Sequence, residues 1–311
     1  MTVTAGSSSA TSAAAVLTVA NPPPPSQGGG RIIDLSARAN VGTGGNILIA
    51  GFVIQGTASK SVLLRGVGPT LGTAPFNLTG VLAQPDLTLY SSSQAQLATD
   101  AVWGGGAVLT SAFSQVGAFK LPGSSSDSAI LTSLAAGSYT SQLTGVGSST
   151  GIALAEIYDA DTGTPASNLV NISARANVGT GANLLIAGFV ISGSQPVQLL
   201  LRGVGPTLGS APFNVSGVLA QPVINLYDSS SVLIASNKGW GNPSVAGAST
   251  VSVTIRQATA GDMSAVGAFK LADGSADSAM VATLPAGSYT LQMSGSNSTT
   301  GVGLVEVYLM Q

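Results

Sequence analysis

The chain has no cysteine and no histidine, and only 7% of its 311 residues are Asp, Glu, Lys or Arg. Each shortage closes off a class of chemistry. Without cysteine there are no disulfides and no thiolate nucleophiles. Without histidine as well, the usual zinc sites and every triad that takes imidazole as its base are excluded. No enzyme activity, metal or cofactor is therefore expected. A net charge of −2 supplies neither the basic surface that nucleic acid needs nor an acidic tail for cations. The longest apolar runs, such as Ile47 to Ile54, span about eight residues where a membrane helix needs roughly 20, so no membrane span is expected. The first twenty residues, "MTVTAGSSSATSAAAVLTVA", lack the basic start of a signal peptide. The absence of cysteine nevertheless suits an exported protein that must survive oxidation without cross-linking.

What the chain does have is small neutral residues, a mean hydropathy of +0.43 and a long internal duplication. "ARANVGTGGNILIAGFVI" (37–54) returns as "ARANVGTGANLLIAGFVI" (174–191), identical at 16 of 18 positions. The repeat continues with "LLRGVGPTLG" at 63 and 200, and Trp103 and Trp240 keep the same offset of 137. The offset then grows to 150 at "VGAFKL", so the second copy carries 13 extra residues around "NPSVAGASTVSVTIRQATAGDM". The expected organisation is an N-terminal β-hairpin or donor strand over 1–20 and a Pro/Gly linker over 21–30. Repeat 1 follows over 31–161, a short tether over 162–167 and repeat 2 over 168–311.

Within each copy, β-branched runs alternate with Gly, Pro, Asn and Ser clusters, and no amphipathic helix stands out. "LSARANV" places Leu35, Ala37, Ala39 and Val41 on one strand face. "LIAGFVI" and "SVLLRGV" are apolar on both faces, and "VGAFKL" also reads as a strand. Eight or nine strands per copy predict an all-β protein made of two tandem antiparallel β-sandwiches.

Few charges recur in both copies. Arg65 shares a strand face with Leu63 and Val67, and Glu156 shares one with Leu154 and Tyr158, so each is expected to be buried and to need a partner. The spacing allows an ion pair of Arg65 with Glu156 or with Asp127, and of Arg202 with Glu306 or Asp277. The "RGVGPTLG" segment lacks the lysine and following helix of a phosphate loop and reads as a turn. Lys60 and Lys120 are candidates for a lysine held against a carboxylate, as in an isopeptide cross-link. Trp103 and Trp240, each followed by glycine, read either as plugs of the sandwich or as a sugar-stacking platform with Tyr90 and Tyr227.

"INLYDSSSVLIASNKGWG" (224–241) followed by "LPAGSYTLQMSG" (284–295) resembles the strand pattern of small jelly-roll domains of secreted bacterial proteins. The whole repeat is similar to the tandem jelly-roll or Ig-like modules of large secreted bacterial surface proteins. The N-terminal piece resembles the last hairpin of a bacterial Ig-like domain. The resemblance implies an extracellular or cell-surface location. The expected function is that of a structural subunit of a surface filament or matrix. Its partner would be another copy of itself, engaged head-to-tail through a strand containing Val3, Val16, Leu17 and Val19. The alternative is a carbohydrate-binding adhesion module with a surface polysaccharide as partner.

Overall fold

The computed structural model describes residues 29–163, 165–240, 243–245 and 251–310. The expected assembly-strand residues Val3, Val16, Leu17 and Val19 lie outside the described residues. The first copy contributes β1 (Arg31–Val41), β2 (Leu48–Gly56), β3 (Lys60–Val67), β4 (Pro85–Ser91), β5 (Gln96–Asp100), β6 (Ser128–Leu134), β7 (Gly137–Gly145) and β8 (Gly151–Asp159). The second contributes β9 (Ser167–Val178), β10 (Leu185–Ser192), β11 (Val197–Val204), β12 (Pro222–Tyr227) and β13 (Leu233–Lys238). It continues with β14 (Ser244–Val245), β15 (Thr254–Gln257), β16 (Ser278–Leu284), β17 (Gly287–Gly295) and β18 (Gly301–Met310). The protein is all-β and its ladders are antiparallel, apart from parallel bridges between β1 and β9 and two isolated ones.

The ladders do not stop at the boundary between copies. One row runs β6-β3-β8-β1-β10-β17-β12-β13-β14. The other runs β5-β4-β7-β2-β9-β18-β11-β16-β15. Each copy thus lends its first strand to the second strand of the other: β1 pairs with β10, and β9 with β2. The registers match. Leu35 faces Phe189 and Ala37 faces Ala187, while Ile172 faces Phe52 and Ala174 faces Ala50. Each crossing strand also carries a bulge at the equivalent place, at Ile33 and Val170. The near-identical text at 37–54 and 174–191 is therefore the two halves of one self-complementary junction about a pseudo-two-fold axis.

Small residues at this junction have a steric role. β1 and β9 come close enough across the sandwich for bridges at Ile32 with Leu169 and Asn40 with Asn177. Between those points the inward side chains include Ala37, Ala39, Ala174 and Ala176, all buried, beside Leu35 and Ile172. On the outward side, a Cβ on Gly51 would meet Ser173 Oγ at 2.7 Å, and one on Gly188 would meet Ser36 Oγ at 2.5 Å. One hydrophobic cluster, including Leu35, Phe52, Leu64, Phe189, Leu201 and Val307, takes residues from both copies.

A smaller cluster sits on the outer face of each copy. In the first it gathers Leu63, Trp103, Phe113 and Tyr158 under α1 (Ala107–Gln115), and in the second Leu200, Met263 and Tyr308 beside α2 (Ala260–Ala265). Neither helix was expected. α1, AVLTSAFSQ, has no charged residue in its first or last turn and no side-chain N-cap, so it carries no helical signature in the sequence. "VGAFKL" is no strand: it follows α1 as an irregular turn, with Gly117 at φ 73°.

Candidate functional site

Arg65 and Glu156 sit on adjacent strands, β3 and β8, in register with each other. Both are buried, because their strand faces lie beneath the outer cluster. Arg65 Nε donates to Glu156 Oε2 at 2.7 Å, and the Arg65 Nη2 lies 2.6 Å from the same oxygen. Arg65 Nη1 donates to the Phe119 carbonyl at 2.6 Å, and the guanidinium lies over the Phe119 ring at 4.2 Å. Glu156 Oε1 accepts from the Tyr158 hydroxyl at 2.7 Å. The second copy repeats the arrangement with Arg202, Glu306, Phe269 and Tyr308. Burial pushes the Glu156 carboxyl up from its ordinary range and the Tyr158 phenol well up as well. A carboxylate buried this deeply, with its oxygens engaged by Arg65 and Tyr158, ties β3 to β8.

Of the two partners open to Arg65 in the sequence, Asp127 has a different place. Its Oδ1 accepts from the Gly68 N–H at 2.8 Å and the Thr70 N–H at 3.4 Å, and its Oδ2 accepts from the Thr70 hydroxyl. Asp127 thereby fixes the turn of "RGVGPTLG", whose Pro69–Gly72 segment is a single 3-10 turn. Asp277 does the same for Gly205 and Thr207, and also accepts from Ser275. A Cβ on Gly68 would meet the Leu82 carbonyl at 2.1 Å, so only glycine fits that turn.

Lys60 is fully buried, with Nζ 2.6 Å from Asp159 Oδ1 and 2.8 Å from Asp161 Oδ2, while Arg31 reaches Asp159 at 3.4 Å. Lys120 is exposed. The second copy has Val197 where the first has Lys60, so this cluster exists once per chain. The sequence gives Lys60 no visible partner, because Asp159 and Asp161 lie about a hundred residues downstream.

Asp34 also breaks the symmetry. It stands where the second copy has Asn171, whose amide donates to the Val307 carbonyl at 3.2 Å. Burial, reinforced by the negative charge of Glu156 and partly offset by Arg65, pushes the Asp34 carboxyl up to about 7. Its Oδ1 is buried without a hydrogen-bond partner.

Trp103 is buried against Phe113, and its indole N–H donates to the Pro122 carbonyl and to Ser125 Oγ, both at 3.1 Å. Trp240 is half-buried and donates to the Ala272 carbonyl at 3.2 Å. Tyr90 and Tyr227 are half-buried on β4 and β12. Among the described residues no cluster of three or more acidic side chains could hold a metal, and no helix is long and apolar enough to cross a membrane.

The far edges of the rows differ between copies. In the second copy β15 covers β16, pairing Thr254 with Thr283, Ile255 with Ala282, Arg256 with Val281 and Gln257 with Met280. β15 belongs to the 13-residue excess. In the first copy the matching strand, β6, has β3 as its only ladder partner among the described residues. The burial follows: Val281 is 1% exposed, whereas Leu131 at the equivalent position is 36% exposed.

No protein-family model matches the chain, and no curated protein matches it.

Proposed function

We propose that the protein is an extracellular structural subunit built from two jelly-roll-like repeats, which assembles with further copies of itself by strand addition. The observation that carries this reading is the difference between β16, covered by β15, and β6, which lacks that cover among the described residues. Beyond the Ala129 N–H, which donates to Asp100, the outer side of β6 has no ladder partner among the described residues and carries the exposed Leu131, which makes it a template for another strand. The donor is the N-terminal segment with Val3, Val16, Leu17 and Val19, entering the place that β15 fills in the other copy. Burying Val16, Leu17 and Val19 contributes roughly 1.5–3 kcal/mol each before association costs are subtracted. Low charge leaves little repulsion to oppose stacking of one molecule on the next.

Negative-stain electron microscopy tests this on the full chain, on a chain beginning at Gly29 and on Leu131→Lys, which places a charge on the edge. Filaments from the full chain alone support strand addition at β6. Filaments from all three overturn it, and dispersed particles from the full chain overturn assembly itself. Carbohydrate binding is a second reading, favoured by a groove lined by Arg175, Phe213 and Phe269 rather than by the tryptophans.

A further inference from the structure

The outer face of β7, β2, β9 and β18 is the floor of a groove of about 660 Å³. One wall is the Ser92–Gln94 turn of the first copy. The other holds Phe213 and Phe269 of the second copy, a tilted pair with centroids 4.7 Å apart. Gly51 leaves a dip in the floor, and the polar groups around it are neutral: Ser173, Thr140 and Gln142.

Arg175 lines the same groove. It is partly buried, and its Nε is shielded from solvent with no hydrogen-bond partner. Apart from Arg38, the other cations are paired or wet. Arg31, Lys60, Arg65, Arg202, Arg256 and Lys270 each have a carboxylate, and Lys120 and Lys238 are exposed. Arg175 and its counterpart Arg38 are the partly buried cations that lack an acid among the described residues. Glu306 also lines the groove, but its oxygens are taken by Arg202 and Tyr308. A sheltered guanidinium without a counter-ion gains most when an anion arrives, because its own solvation is already reduced.

The floor also narrows the class of ligand. β7, β2, β9 and β18 are interior strands with ladders on both sides, so their main-chain groups are already paired. A peptide laid in the groove would find no edge for its own backbone. What remains is recognition by hydroxyl, amide, guanidinium and ring, the combination that suits a sugar chain carrying a carboxylate. We propose that this groove binds an acidic oligosaccharide, with a uronic acid carboxylate on Arg175 and a pyranose face against Phe213 and Phe269. Arg38 holds the equivalent place on the opposite face of the sandwich, but there Asp34 replaces Asn171. The negative form of Asp34 opposes an acidic ligand, so the Arg175 groove is the stronger site. This site does not depend on the assembly reading; it rests on the carbohydrate-binding reading and names its ligand class.

The test is isothermal titration calorimetry of the full chain with tetragalacturonate, with a neutral cello-oligomer of the same length and with an acidic tetrapeptide. Binding of tetragalacturonate is expected, weakening as salt is raised and falling at least about tenfold in Arg175→Gln. Phe213→Ala weakens it as well, while Arg38→Gln changes it little. The proposal is overturned by an absence of binding to tetragalacturonate, by equal affinity in Arg175→Gln, by equal affinity for the neutral oligomer, or by tighter binding of the peptide. Should Arg175→Gln fail to fold, Arg175→Lys and the salt dependence of the unaltered protein decide. Salt-independent binding that Arg175→Lys leaves unchanged overturns the proposal.

Discussion

Ala37 on β1 pairs with Ala187 on β10, a residue of the other copy, and Ala174 pairs with Ala50 in the same way. The two halves of the junction are equivalent in register and in steric fit, which makes their perturbation comparable. Gly51→Val and Gly188→Val each force a side chain onto a serine hydroxyl of the facing strand. Each is expected to destabilise the protein by about 1–3 kcal/mol. Urea denaturation followed by tryptophan fluorescence measures both, and the two values should agree closely.

Removing one partner of a buried ion pair strands the other. Arg65→Met leaves Glu156 without its cation and is expected to cost about 3–5 kcal/mol, with Arg202→Met behaving alike. The double substitution Arg65→Met with Glu156→Leu should recover most of that loss. Equilibrium unfolding of the three variants checks the order.

Asp127 and Asp277 hold their turns through backbone and threonine donors rather than through an arginine. Asp127→Ala orphans the Gly68 N–H and the Thr70 hydroxyl in a buried place, and should cost about 2–4 kcal/mol. Amide hydrogen exchange should show the loss concentrated at residues 68–72, with the Arg65 cluster protected as before.

Asp34 predicts a pH dependence with a definite sign. Its carboxyl is pushed up to about 7 in the folded protein from 3.8, so the folded state holds its proton more tightly than the unfolded chain does. Its contribution is therefore fully present below about pH 4 and is lost as pH rises through 7. Asp34→Asn, the residue the second copy uses, should flatten that slope. It should raise stability at pH 8 by on the order of 1–2 kcal/mol relative to pH 5. Thermal melts of both proteins at the two pH values test it.

The strand faces were readable in the sequence. The alternation of Leu35, Ala37, Ala39 and Val41 specified the buried side of β1, and Leu154, Glu156 and Tyr158 do share a face of β8. Which strand β1 would choose as neighbour was not readable. Two near-identical edges give a strand the same pattern to pair with in either copy, and only closure of the common core across both copies selects the other one. α1 has no charged residue and no side-chain N-cap to mark its start, so nothing local identifies it as a helix; its position depends on Phe113 reaching the outer cluster. The Arg175 groove left no local signal either, since its two rings, Phe213 and Phe269, lie far along the chain from Arg175 and from each other.

The 13 residues that include β15 sit in one copy only, and this gives the molecule a direction. A symmetric pair of separate chains would carry the same edge twice, either both covered or both uncovered. Fusing the copies lets them diverge, so that β16 carries a further strand while β6, among the described residues, pairs with β3 alone. Any strand that adds at β6 then adds once per molecule, and a chain of such molecules has a head and a tail.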